Sequence, residues 1–229
     1  MSNRCATSPA VRRRRRRRAF VMAIQLVAAI VLTAELARAQ EQPAQPSTHS
    51  GKPTASDVGS FLLGGGAGLA AHESGHLLFD AIFDAHAGVK KVSFQGIPFF
   101  AITHDPSISR RREFVIDSAG FWVQEGTNEW LLHRRPNLRH EHAPFVKGVF
   151  AFNVLASVAY AGAAFARVGP AERDTRGMAA ALKWPEPAIG ALILVPAVLD
   201  AVRFYRPDAR WATWGSRTAK LAGVVLVFK

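Results

Sequence analysis

Two histidines and a glutamate with the spacing of a metal site lie in an otherwise apolar stretch of the chain. The stretch AHESGHLLFD, residues 71–80, holds His72, Glu73 and His76 in the pattern H-E-x-x-H. On an α-helix, residues i and i+4 share one face, so both imidazoles can bind one metal ion. The neighbouring Glu73 can then take a proton from a water on that ion. The pattern predicts zinc-assisted hydrolysis; the simpler alternative is a polar helix face inside a bundle, without metal.

The elements that must position these residues are predicted from long apolar segments. Residues 58–83, 148–166 and 188–205 are each long enough to cross a bilayer as a helix. Residues 114–132 also form a helical segment, but three carboxylates make it a poor span, and we expect it not to cross; these are Asp117, Glu125 and Glu129. Residues 89–103 combine β-branched and aromatic residues with a Gly-Ile-Pro break, which favours a short β-hairpin. The predicted fold is an all-α membrane bundle of about three to four transmembrane helices, with a small β-insert after the H-E-x-x-H helix.

The N-terminal part of the chain predicts a targeting segment. An arginine run at residues 12–18 precedes a 16-residue apolar stretch, and Ala37 to Ala39 give a small-x-small cleavage pattern. These features are typical of a signal peptide, or alternatively of an N-terminal membrane anchor, over residues 1–39. Residues 40–56 are rich in Pro, Gln and Ser and predict a linker. A core at 57–206 and a basic, apolar C-terminal tail at 207–229 complete the predicted organisation.

Charge and cysteine content narrow the function classes. The chain of 229 residues has a net charge of +12, but nine of its 29 basic residues lie in the first 39 positions. The remainder is only mildly basic, so we expect no nucleic-acid partner. The one cysteine, Cys5, lies in the targeting segment. The sequence therefore offers the rest of the chain no disulfide framework, thiolate metal site or cysteine nucleophile.

Three stretches resemble the site-2-protease class of membrane-embedded zinc metalloproteases, the M50 peptidases. The first is AAHESGHLLFD, and the second is RREFVIDSAGFWVQ at residues 111–124, with Phe121 where the family often has proline. The third is LVPAVLDAVRFY at residues 194–205, with Ala201 and Val202 where the family has two glycines. The resemblance covers roughly residues 58–206.

The resemblance implies a function and a set of site residues. It implies Zn²⁺ bound by His72, His76 and Asp200, with Glu73 as the general base. It also implies hydrolysis of a peptide bond in a peptide or membrane-protein substrate, by a multi-pass protein of a bacterial-type inner membrane in contact with its lipid. Two alternatives remain open: a catalytically inactive metal-binding membrane protein of the same fold, and a membrane-tethered gluzincin-like peptidase whose third ligand is Glu129.

The distribution of basic residues gives a separate test of Asp200. It places residues 86–112, 133–142 and 206–220 in the cytoplasm and residues 167–187 outside. In that topology Asp200 reaches the depth of the histidines, provided that residues 114–132 do not cross. If they do cross, Asp200 lies near the opposite face and cannot be a ligand. A salt bridge from Asp200 to Arg203, three residues on, is the alternative role for this carboxylate.

Overall fold

The computed structural model describes residues 53–94 and 97–226. This part of the chain contains six α-helices and one two-stranded β-hairpin. The elements are α1 (Ala55–Phe83), β1 (Gly88–Phe94), β2 (Ile97–Thr103), α2 (Arg110–Arg134), α3 (Pro144–Ala166), α4 (Asp174–Leu182), α5 (Glu186–Tyr205) and α6 (Arg210–Val225). A 3₁₀ turn, Leu138–His140, precedes α3. The predicted helical bundle with a small β-insert after the H-E-x-x-H helix is confirmed at this level. The predicted signal segment and all but the last few linker residues lie outside the described residues.

Local sequence signals set both ends of α1. Thr54 and Asp57 form a capping box, in which the Thr54 hydroxyl accepts from the Asp57 amide at 3.2 Å and the Asp57 carboxylate accepts from the Thr54 amide at 2.9 Å. Asp84 adopts the left-handed conformation with φ of 56° and ends the helix. The chain then enters the antiparallel hairpin, in which Gly88 pairs with Thr103. The 29-residue helix α1 thus carries both histidines and leads directly into the β-insert.

Glycines bring the backbones of α1 and α3 into contact. A Cβ on Gly64 would lie 2.0 Å from the carbonyl oxygen of Phe145, and one on Gly148 would lie equally close to a carbonyl oxygen of α1. One turn further on, Gly68 meets the ring of Phe152. Contacts therefore advance in the same direction on both helices, so α1 and α3 are parallel. Gly64 and Gly68, four residues apart, thus form a small-residue face of α1 on which α3 packs closely.

Helix α2 runs antiparallel to α1 and α3 along their length. Its residue Ile116 lies beside His76, and Gly120 lies beside His72. Further along, Asn128 accepts a hydrogen bond from Asn153 in the first half of α3, at 2.9 Å. The N-terminus of α2 is therefore at the hairpin end of the bundle and its C-terminus is at the opposite end. As expected for residues 114–132, α2 is not among the described helices that are long and apolar enough to cross a membrane, yet it runs along the length of the bundle beside α1 and α3.

The two ends of the bundle correct the predicted topology. Lys90 on β1 forms a salt bridge of 2.5 Å with Glu172, just before α4. Residues 86–112 and 167–187 therefore lie at the same end, although the basic-residue pattern placed them on opposite sides of a membrane. The pattern separated these two segments because it did not count α2 as an element that runs from one end of the bundle to the other.

Two of the described helices, α3 and α5, are long and apolar enough to cross a membrane. Helix α1, which the sequence predicted as a span, does not meet that criterion, because glycines and the polar motif dilute its apolar residues. The described part of the chain therefore provides fewer spans than the three to four predicted. Large apolar side chains are nevertheless exposed on all three helices, among them Leu62, Leu63, Leu155 and Val195. Apolar side chains that face outward in such numbers are typical of surfaces that contact lipid or another protein.

Candidate metal centre

Three side chains from two distant parts of the chain converge at one point. His72 Nε2 lies 3.2 Å from His76 Nε2, and each nitrogen faces the same carboxylate oxygen, Asp174 Oδ2, at 3.3 and 3.5 Å respectively. Both histidines are buried, and the Asp174 side chain is 16% exposed. Among the described residues these three form a group that could hold a metal ion.

The spacing of these atoms is the spacing that a tetrahedral metal requires. Zinc binds imidazole nitrogen at about 2.0–2.1 Å and carboxylate oxygen at about 2.0–2.2 Å, so tetrahedral geometry separates neighbouring ligand atoms by about 3.3–3.5 Å. The three observed separations, 3.2, 3.3 and 3.5 Å, lie within about 0.1 Å of that range. Little movement of the three side chains is needed to place a metal ion between them.

A main-chain contact orients the ring of His76. Its Nδ1 lies 2.7 Å from the carbonyl oxygen of Ile116 on α2, and only a protonated Nδ1 can donate to that acceptor. In a neutral imidazole this leaves Nε2 unprotonated, which is the form that binds a metal. The antiparallel contact of α1 with α2 thus sets the tautomer of one ligand.

The ring of His72 is packed tightly on several sides. A Cβ on Gly120 would lie 2.5–2.6 Å from three atoms of the ring, so this glycine is required for α2 to approach. Tyr160 from α3 stacks on the ring with centroids 5.9 Å apart, and Phe121 contacts it edge-on at 5.3 Å. Aromatic packing of this kind limits the movement of the ring and keeps its Nε2 directed at the site.

Asp174 is the first residue of α4, in a segment between the two candidate spans. Burial alone would raise the pKa of its carboxyl, but the charges and hydrogen bonds of His76 and His72 outweigh burial and lower it. The group is therefore a carboxylate, the form that binds metals. A metal ion would displace the protons of the imidazoles, and two neutral rings with one carboxylate then give the ligand set a net charge of −1, which favours a divalent cation.

Glu73 lies next to this group without belonging to it. Its side chain is partly buried, and its charge interacts with those of His72, His76 and Asp174. On α1 it is adjacent to His72 and projects from a neighbouring position of the helix surface. A carboxylate beside a metal site, but outside its ligand set, has the placement of a proton acceptor.

Asp200, predicted as the third ligand, lies elsewhere. It is 1% exposed and accepts hydrogen bonds from Ser216 at 2.5 Å and Lys220 at 3.0 Å, with Arg203 at 3.1 Å. The same polar cluster includes Glu129 of α2, near the end opposite the hairpin. Because α2 traverses the bundle, Asp200 lies at the wrong end for a ligand, and Asp174 occupies the position predicted for it. The alternative role, a salt bridge to Arg203, is confirmed.

Glu129, the alternative third ligand, also forms ion pairs with other residues. Its carboxylate pairs with Arg203 at 2.6 Å, Arg217 at 2.8 Å and Lys220 at 3.2 Å. These three cations offset the cost of partly burying the Glu129 carboxylate. The residue links α2 to α5 and α6 and does not contact the histidines, so the gluzincin-like ligand set is wrong for this chain.

Sequence reasoning missed Asp174. It lies in the polar segment ERDTRG, where acidic residues usually face solvent, and no periodicity connects it with His72, 102 residues earlier. Its one available signal was its place at a helix start between two apolar segments, and that signal is not specific for a ligand. The centre therefore offers two nitrogens, one carboxylate oxygen and an adjacent carboxylate.

Comparisons with protein-family models, with curated proteins and with solved structures find no match to this chain.

Proposed function

We propose that the chain is a zinc-dependent metalloendopeptidase that hydrolyses peptide bonds at or within a membrane. The observation that carries the proposal is the triangle of His72, His76 and Asp174, whose ligand atoms are 3.2–3.5 Å apart, with Glu73 beside it. A site with three protein ligands leaves a fourth tetrahedral position for water or substrate, which is typical of catalytic zinc and not of structural zinc.

The ligand types alone admit more than one metal. Two histidines and one carboxylate also suit iron(II), which prefers octahedral coordination with three open positions. Two features favour zinc. The separations of the ligand atoms fit a tetrahedron at zinc bond lengths, and Glu73 supplies the base that metal-assisted hydrolysis needs.

The proposed reaction assigns a role to each side chain. Zinc in this site would polarise the scissile carbonyl and lower the pKa of the attacking water. Glu73 accepts the proton of that water and passes it to the leaving amine, which needs a carboxylate within reach but not bound as a ligand. Ile116, through its carbonyl, keeps His76 in the tautomer that binds the metal. Tyr160, stacked on His72 and close to Asp174, closes the α3 side of the site.

The proposed membrane location rests on the side chains that face outward from the bundle. Helices α3 and α5 have the length and composition of spans, and large apolar side chains on α1, α3 and α5 face outward. Lipid is then the immediate neighbour of the bundle, and the substrate is a peptide or membrane protein that reaches the hairpin end. The resemblance of AHESGHLLFD to the M50 peptidases supports the same location, as a multi-pass protein of an inner membrane.

A matched pair of aspartate variants tests the metal centre. Full-length protein in detergent micelles is equilibrated with zinc, dialysed, and analysed for metals by mass spectrometry. We expect about one zinc per chain in the wild type and in Asp200→Asn, and little in Asp174→Asn, because two protein ligands are too few for a tight site. Circular dichroism checks that both variants fold. Stoichiometric zinc in folded Asp174→Asn, or iron in place of zinc in the wild type, would contradict the proposed site.

Turnover is tested separately. Fluorescein-labelled casein and labelled transmembrane peptides are incubated with the zinc-loaded wild type, and a control reaction contains a chelator. Cleavage that requires the metal supports the peptidase. A wild type that holds zinc but cleaves none of these substrates would favour a catalytically inactive metal-binding protein of the same fold.

A further inference from the structure

The residues on either side of Asp174 are held by one carboxylate, Glu186. Arg173 Nε and Nη2 donate to the two oxygens of Glu186, each at 2.6 Å, in a bidentate pair. Thr175 Oγ1 donates to Glu186 Oε1 at 2.9 Å. Glu186 is the first residue of α5, so this contact ties the start of α4 to the start of a candidate span.

Arg173 also fixes the loop that precedes the ligand. Its Nη1 donates to the carbonyl oxygen of Pro170 at 2.8 Å and of Gly169 at 3.2 Å. The Arg173 and Glu186 side chains are 9% and 11% exposed, and Thr175 is fully buried. A bidentate pair with this little exposure is more rigid and less screened than a surface ion pair.

The contacts of Glu186 hold the main chain that carries Asp174, and the metal site requires that this main chain be held. His72 and His76 are one turn apart on a long helix, so their relative position is fixed by α1 itself. Asp174 arrives on the nine-residue helix α4 after a seven-residue connection, and nothing in α1 sets its distance from the histidines. A metal site requires its ligand atoms within about 0.2 Å of ideal distances, so the backbone that carries Asp174 has to be held in place.

We propose that Glu186 is a positioning residue that fixes Asp174 for metal binding, acting through Arg173 and Thr175. The inference rests on the proposed function, since it assumes that the three-residue site binds a metal. Glu186 does not touch the metal position. It sets where the main chain at residue 174 lies, and through it the direction of the Asp174 carboxylate.

The test measures metal affinity in the full-length protein, not activity. Zinc is titrated against a chromophoric chelator, and cobalt(II) is titrated in parallel because its visible spectrum reports coordination number. For Glu186→Gln we expect zinc affinity to fall about 10- to 100-fold, as for other residues that orient metal ligands, together with a change in the cobalt spectrum. The matched control is Glu141→Gln, which removes the Arg135–Glu141 pair at the other end of the bundle and should leave both unchanged.

Substitutions of Thr175 separate positioning from general packing. Thr175→Val keeps the shape of the side chain but removes the donor to Glu186, whereas Thr175→Ser keeps the donor. We expect Thr175→Val to weaken zinc binding and Thr175→Ser to retain affinity near that of the wild type. The melting temperature of each metal-free variant is recorded, because a purely structural contact would lower that temperature without changing the affinity of folded protein.

The outcomes distinguish the two proposals. A wild type that binds neither zinc nor cobalt overturns the proposed function and this inference together. A wild type that binds zinc, with Glu186→Gln folded and equal to it in affinity and cobalt spectrum, overturns the positioning role alone. Equal affinities of Thr175→Val and Thr175→Ser would likewise exclude the route through Thr175.

Discussion

The substitution Gly120→Ala should damage the metal centre without touching a ligand. Gly120 lies on α2 directly against the ring of His72. An added Cβ would lie 2.5 Å from Cε1 and 2.6 Å from both ring nitrogens. Non-bonded carbon atoms normally approach to about 3.5–4.0 Å, so the overlap is about 1 Å.

The structure leaves two ways to relieve this overlap, and both are costly. The ring of His72 cannot shift freely, because Tyr160 stacks on it and Phe121 contacts it edge-on. If α2 moves instead, its contact with α1 at Gly75 and Ala119 opens, where a Cβ would already be 2.7 Å from a carbonyl oxygen. Overpacking of this kind costs about 1–3 kcal/mol. A ring shift approaching 1 Å also exceeds the roughly 0.2 Å tolerance of a metal–ligand distance.

We therefore expect Gly120→Ala to lower zinc affinity by about 100-fold or more, the upper range for disturbed ligand orientation. Competition with a chromophoric chelator measures this loss, and heat denaturation of metal-free protein measures stability. The matched control is Gly126→Ala on the same helix, where an added Cβ meets nothing within 4 Å. That change should leave affinity unchanged and stabilise α2 by about 0.5–1 kcal/mol. Equal zinc affinities of the two folded variants would refute the claim that Gly120 sets the position of His72.

Three further outcomes are expected. Glu73→Gln should retain zinc, because this residue is not a ligand, while metal-dependent cleavage falls about 10²- to 10⁴-fold; loss of metal from this variant would place Glu73 in the ligand set instead. Asp200→Ala removes one of the two carboxylates that pair with Arg203 and Lys220 and leaves Glu129 to both, so heat denaturation should show a loss of about 1.5–3 kcal/mol, while zinc content of the folded fraction stays the same. Single cysteines placed at positions 107 and 171, in a background without Cys5, should react with an impermeant maleimide from the same side of the membrane, and a cysteine at position 137 from the other; labelling of 107 and 171 from opposite sides would contradict the arrangement of helices.

The parts of the site that were predictable from sequence are those that one helix determines. The spacing of His72 and His76 places them on one face of α1 whatever the rest of the fold does. The close-packing face of Gly64 and Gly68 follows from the same periodicity, and so does the pairing of Asp200 with Arg203. In each case the interaction depends on the number of residues between the two partners, which can be counted in the sequence.

The third ligand was not predictable because its choice depended on the direction of α2. Its carboxylates make α2 a poor membrane span, which gave no reason to expect that this helix runs the length of the bundle. The structure shows that Glu129 is neutralised by Arg203, Arg217 and Lys220, which belong to α5 and α6. A helix judged from its own sequence therefore looks more polar than it is in the folded bundle, where neighbouring helices neutralise its charges. Once α2 traverses the bundle, Asp200 and Asp174 exchange ends.

The separation of the ligands along the chain has a consequence for biosynthesis. His72, Glu73 and His76 leave the ribosome about a hundred residues before Asp174, so a nascent chain carries two of the proposed ligands and the proposed general base long before the third ligand exists. Asp174 itself reaches its place only after α5 supplies Glu186. A metal centre assembled in this order stays incomplete while the rest of the chain is still being made. Under the proposed function, this order of assembly would spare the protein and its neighbours from cleavage until the bundle has closed.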